Sequence, residues 1–171
     1  MLAMEAVPTE YKGIRYRSKS EAMFARYLEL RNDAEFISSR LNVGQKCGAG
    51  GFIYEPKFLL LDDGWTPDFL WWAVYGSVAS EPTLHASVVE YKPKIPTKTY
   101  LNAFLEHTQR LWGSMSYSPS YELYYGNFFT GTCGLFHVSD GRLEHVVGDE
   151  ANWLEGYQDT ILKTRFDLEA A

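Results

Sequence analysis

Trp65-Thr66-Pro67-Asp68-Phe69-Leu70-Trp71-Trp72-Ala73-Val74-Tyr75 and, after a loop, Leu84-His85-Ala86-Ser87-Val88-Val89-Glu90-Tyr91-Lys92 decide the fold. Both segments are short, apolar and rich in β-branched and aromatic residues, and both are predicted to be strands. The loop between them covers Gly76 to Pro82, and Pro93 and Pro96 close the second segment because neither can donate a ladder hydrogen bond. Side chains alternate across a strand, so Glu90 and Lys92 share one face while Tyr91 points to the other. If the two strands pair, Asp68 lies beside Glu90.

Upstream, Phe52 to Leu61 forms another β-rich run, closed by Asp62-Asp63-Gly64 as a hairpin turn. Gly48-Ala49-Gly50-Gly51 is predicted to be a mobile loop at the end of a stretch, from Asn32 on, that has no clear period. Ser18 reads as a helix N-cap with Glu21 completing a capping-box pattern. Met23, Tyr27 and Leu30, with Phe24 and Leu28, then predict a helix to about Arg31. Tyr11 to Arg17 forms an extended lead-in.

Downstream, Thr97 to Trp112 predicts a helix with Leu101, Phe104, Leu105 and Leu111 inward. Strands follow at Tyr121 to Phe129, Gly134 to Val138 and Leu143 to Val147. A last helix is predicted from about Glu150 to Arg165, with Trp153, Leu154, Tyr157 and Ile161 inward. The order αβββαβ implies an α/β fold with a mixed central sheet flanked by helices. Residues 10–168 form a single domain on this reading, with a C-terminal strand and helix extension from about 133.

The 171 residues are 46% apolar and 16% aromatic, which suits one domain with a sizeable core. No apolar run approaches the roughly 20 residues of a membrane-spanning helix. Cys47 and Cys133 lie far apart, and Met1 to Pro8 does not resemble a secretory signal, so a reduced, cytoplasmic protein is expected. The net charge of −6 argues against non-specific coating by nucleic acid. The charge is uneven, however. Lys12, Arg15, Arg17, Lys19, Arg26 and Arg31 oppose only Glu21 and Glu29 between Tyr11 and Arg31, whereas acidic residues dominate from Asp140 onward. A local phosphate-binding face remains compatible with that distribution.

Two carboxylates brought together repel each other unless a cation sits between them. Oxygen donors such as those of Asp68 and Glu90 favour Mg²⁺ or Mn²⁺, ions that keep several waters. A metal there can activate water and neutralise charge on a phosphate, and Lys92 adds a positive group for the developing negative charge.

Pro67-Asp68 followed by Glu90-Tyr91-Lys92 on the next strand resembles the PD-(D/E)xK, restriction-endonuclease-like superfamily. The likeness extends to Tyr11-Lys12-Gly13-Ile14-Arg15-Tyr16-Arg17-Ser18-Lys19-Ser20-Glu21-Ala22, similar to the helix opening of several members, and to Tyr54-Glu55-Pro56. It covers roughly Tyr11 to Phe129. The resemblance implies a restriction-endonuclease-like core and a Mg²⁺- or Mn²⁺-dependent endonuclease acting on DNA. It implies that Asp68, Glu90 and the main-chain carbonyl of Tyr91 hold the metal, that Lys92 is the catalytic lysine, and that Glu21 is an accessory acid. From the residues alone, Glu21 is equally the third position of a capping box. The net acidity departs from the many basic members. It leaves room for a catalytically silent nuclease-fold subunit that binds nucleic acid or protein within a larger assembly.

Lys94 and Lys98, which follow the catalytic strand, and Arg17 and Lys19 are candidates for phosphate contacts. Glu55 either approaches the site or flanks a strand, and the flank is the favoured reading. The four histidines lack ligand spacing, and Cys47 to Gly51 lacks a phosphate-loop ending, so no nucleotide cofactor is expected. Tyr124-Tyr125 alternate as buried strand residues rather than as base-stacking platforms. A protein partner or homo-oligomer is compatible with the acidic C-terminal segment.

Overall fold

The computed structural model describes residues 6–41, 46–76, 81, 83–112, 119–126 and 133–148, with the backbone alone at 33–41, 46–49, 75, 76 and 148. It begins with a hairpin, β1 (Thr9–Tyr11) and β2 (Ile14–Tyr16), where an extended lead-in is predicted. Lys12 (φ 50°) and Gly13 (φ 77°) both lie in the left-handed region, the requirement of the two-residue turn that matches strand twist. The Tyr11 hydroxyl (2.8 Å) and the Lys12 ammonium (3.2 Å) both reach Glu29, tying the hairpin to the following helix.

That helix, α1, spans Lys19–Leu41. Ser18 caps it as predicted, its hydroxyl accepting from the Glu21 N–H at 3.2 Å. It runs ten residues past Arg31, the predicted end. The Arg31 guanidinium donates to Glu122 (3.1 Å) and to the Tyr124 hydroxyl (2.8 Å), and lies 4.1 Å from the Trp71 ring centroid.

β3 (Lys46–Tyr54) includes Gly48 to Gly51, which corrects the prediction of a loop there. The reason is close packing. A Cβ at Gly50 would lie 2.7 Å from the Asn32 Oδ1 of α1 and 3.2 Å from the Trp72 carbonyl oxygen. The run from Phe52 also stops earlier than predicted. It ends at Glu55 (φ 45°), and a short 3-10 turn follows at Lys57–Leu59. Asp62-Asp63-Gly64 does turn, the Gly64 N–H donating to the Leu61 carbonyl at 2.9 Å. It does not join two sheet strands, because β4 (Phe69–Gly76) begins beyond it and pairs Phe69 with Tyr54. Asp63 instead holds α2 (Lys98–Trp112) through Arg110 at 2.7 Å and His107 at 3.1 Å.

β5 (Thr83–Lys92) pairs antiparallel with β4, and α2 then crosses over to β6 (Ser120–Gly126), which runs parallel to β5. β7 (Cys133–Ser139) and β8 (Arg142–Gly148) add antiparallel strands. The six-stranded sheet has the order β3-β4-β5-β6-β7-β8, so the fold is α/β with a mixed central sheet. The predicted helix at Glu150–Arg165 and the end of the predicted Tyr121–Phe129 strand lie outside the described residues.

Each face of the sheet has its own core. On the α1 side, Phe24 stacks on Tyr91 (centroids 4.5 Å apart, 10° between planes) among Leu28, Phe69, Trp71, Val89 and Tyr124. On the α2 side, Phe104 and Leu111 pack with Val88, Leu123, Tyr125 and Phe136. Tyr124 and Tyr125 are therefore buried on opposite faces, as their alternation predicts. No helix among the described residues is long and apolar enough to cross a membrane.

Candidate metal centre

Alternation along β5 puts Glu90 and Lys92 on the face of Val88, beneath α2, and turns Tyr91 into the α1 core. The register Phe69↔Val89 sets Asp68, the residue just before β4, opposite Glu90. The three predicted residues converge. The Asp68 N–H donates to Glu90 Oε2 at 3.2 Å, and Lys92 Nζ lies 3.1 Å from Glu90 Oε1 and 3.7 Å from Asp68 Oδ2. Asp68 (2% exposed) and Glu90 (3%) are both buried, which is uncommon for acids that lack strong partners.

The partners are specific. Asp68 Oδ2 accepts the Tyr91 N–H at 2.9 Å, and Asp68 Oδ1 is engaged by Arg17 Nη2. Glu90 Oε1 accepts the Tyr100 hydroxyl from the first turn of α2, where Thr97 caps the helix by accepting the Tyr100 N–H at 3.2 Å. Lys92 Nζ also sits 4.9 Å from the Tyr100 ring centroid. Burial, and then the neighbouring Asp68 charge, push the Glu90 carboxyl up to about 7 despite Lys92 and Tyr100. Burial and the adjacent Glu90 hold the Tyr100 hydroxyl far above its ordinary range, so it remains a proton donor.

Glu21 makes half of the predicted capping box. Its backbone N–H donates to Ser18, but its carboxylate turns to the Arg17 N–H (3.0 Å) and the Tyr54 hydroxyl (2.7 Å) rather than to Ser18. Arg17 joins the acids. Its guanidinium meets Asp68, Glu21 Oε1 at 3.1 Å and Glu55 Oε1 at 3.4 Å. Partial burial opposes that charge, yet Asp68 and Glu21 outweigh it and raise the Arg17 pKa. Lys94, Lys98 and Lys19 are exposed near the same sheet end, on the turn after β5 and at the starts of α2 and α1.

Three features escape a linear reading. Tyr100 carries no motif of its own; its place one helical turn after Thr97 is the only available signal. Glu55 reads as a flank and becomes an Arg17 partner because its left-handed backbone ends β3 at the site. Arg17 itself, a candidate phosphate contact, is committed to carboxylates here.

The donors suit a hard divalent ion: two buried carboxylates, the nearby Tyr91 main chain, and a guanidinium already drawn to Asp68 as a stand-in cation. Among the described residues no three acidic, His or Cys side chains form a ready-made cage. No family model, curated protein or solved structure matches the chain.

Proposed function

We propose that this chain is a Mg²⁺- or Mn²⁺-dependent endonuclease that hydrolyses DNA phosphodiester bonds on a restriction-endonuclease-like core. The order α1, β3, β4, β5, α2, β6 supports the core. The observation that carries the chemistry is one ammonium, Lys92, within 3.7 Å of two buried carboxylates from adjacent strands. Asp68, Glu90 and the Tyr91 carbonyl are the residues that would hold the ion. When bound, the ion supplies Lewis acidity toward a phosphoryl oxygen and a water of lowered pKa.

The chain's own groups do the rest. Burial of Asp68 and Glu90 keeps bulk water away, so their charge acts at low effective dielectric. Tyr100 fixes one oxygen of Glu90 through its hydroxyl, and the Tyr91 N–H fixes one oxygen of Asp68. Lys92, about 30% exposed, reaches the mouth of the site, where its charge can face the in-line nucleophile and the phosphate. The exposed Lys94, Lys98 and Lys19 are placed to meet flanking phosphates.

A plasmid-nicking assay with Asp68→Asn tests the reading. Asparagine retains an acceptor for the Tyr91 N–H, so the variant should fold and lose cleavage. Full cleavage by the folded variant would falsify it. A second reading, a silent binding subunit, is favoured by the Arg17 guanidinium on Asp68. Calorimetric Mn²⁺ binding without nicking of any DNA form would select it.

A further inference from the structure

Both oxygens of Asp68 are engaged by donors of the chain. Oδ2 is turned inward, accepting the buried Tyr91 N–H at 2.9 Å with Lys92 Nζ 3.7 Å away. Oδ1 is the outward acceptor, and Arg17 Nη2 engages it. A Mg²⁺ or Mn²⁺ ion binds an oxygen at about 2.1 Å. A guanidinium nitrogen on the same oxygen would then stand within a few ångströms of a dication, where like charges repel strongly in a half-buried site. The guanidinium and the ion therefore compete for the charge of Asp68 at Oδ1.

We infer that Arg17 is a built-in competitor for the metal position, neutralising Asp68 without metal and leaving its Oδ1 when a divalent cation enters. The inference rests on the metal-dependent reading above. Geometry provides the route out. The Arg17 side chain is 55% exposed, against 30% for Lys92, so it moves toward solvent without crossing the core. Its backbone stays put, because the Arg17 N–H is held by Glu21 at 3.0 Å and by the Tyr54 hydroxyl at 3.2 Å. Glu21 and Glu55 keep the released guanidinium at the mouth of the site, since both already contact it at 3.1 and 3.4 Å. The two carboxylates therefore serve as a resting place for a displaced cation as much as they serve any metal.

The test is calorimetric titration of MnCl₂ into wild type, Arg17→Met and Arg17→Gln, with Asp68→Asn as control, and melting of each protein in EDTA and in saturating MnCl₂. The inference expects the Arg17 variants to bind Mn²⁺ at least about tenfold more tightly than wild type. It also expects them to melt lower in EDTA and to gain more in Tm from Mn²⁺. Glutamine is the second variant should methionine fail to fold. Tighter binding by either Arg17 variant supports the inference, including the case in which wild type binds too weakly to measure. Wild-type binding with no gain in both Arg17 variants overturns the inference and leaves the metal-dependent reading intact. No binding by wild type or by either Arg17 variant overturns both.

Discussion

Glu90 makes the metal-free protein sensitive to pH in an unusual direction. Folding raises its pKa from 4.5 to about 7, first by burial and then by Asp68. Between those values the folded protein holds a proton that the unfolded chain has lost. Stability is therefore full below about pH 4.5, falls as pH rises through the window, and levels off above about 7. At ~1.4 kcal/mol for each pH unit between the two values, the fall is about 3–4 kcal/mol. For a chain of this size that corresponds to roughly 6–16 °C in Tm. The assay is urea or thermal unfolding in EDTA from pH 4.5 to 8.5, for wild type and Glu90→Gln. Glutamine does not titrate, so ionisable groups remote from Glu90 cancel in the difference between the two proteins. The wild type should lose its advantage over Glu90→Gln as pH rises, and saturating Mn²⁺ should remove most of the slope. A difference that is flat with pH in EDTA, or one that grows in favour of wild type, refutes the reasoning.

Lys92→Ala should reduce plasmid nicking at least about a hundredfold, the scale of a lost charge-stabilising group, while circular dichroism remains that of a folded protein. Phe24→Ala, which removes the ring stacked on Tyr91 in the α1 core, should destabilise the fold by about 3–5 kcal/mol in urea unfolding. Gly134→Ala should cost about 1–3 kcal/mol in the same measurement, because a Cβ there would overlap the Tyr125 ring, which His145 holds at 2.8 Å.

The convergence of Asp68, Glu90 and Lys92 was legible in the linear chain because its geometry depends on short-range rules. Alternation alone places Glu90 and Lys92 together and Tyr91 opposite, and pairing of neighbouring strands brings Asp68 across. The helix starts at Ser18 and Thr97 were legible for the same reason, since caps are local chemistry. What failed depends on distant partners. The glycines of β3 look like a loop until α1 is seen lying close against Gly50. The second half of α1 is a different case: Leu30, Ala34, Ile37 and Leu41 recur there at helical spacing, and the predicted end at Arg31 stops short of them. The strand through Phe52 continues as an apolar run beyond Tyr54, but the left-handed backbone of Glu55 ends it. Arg17 and Glu21 lie on one segment and Tyr54 and Glu55 on another; both segments enter the resemblance, but the contacts that join them beside Asp68 are written in neither.

Crystals soaked in MnCl₂ and measured at the manganese absorption edge decide whether the Asp68–Glu90 pair holds a divalent cation. An anomalous peak about 2.1–2.2 Å from oxygens of Asp68, Glu90 and the Tyr91 carbonyl is the predicted result. Saturating manganese that leaves those oxygens bare, or that collects only elsewhere on the molecule, would contradict it.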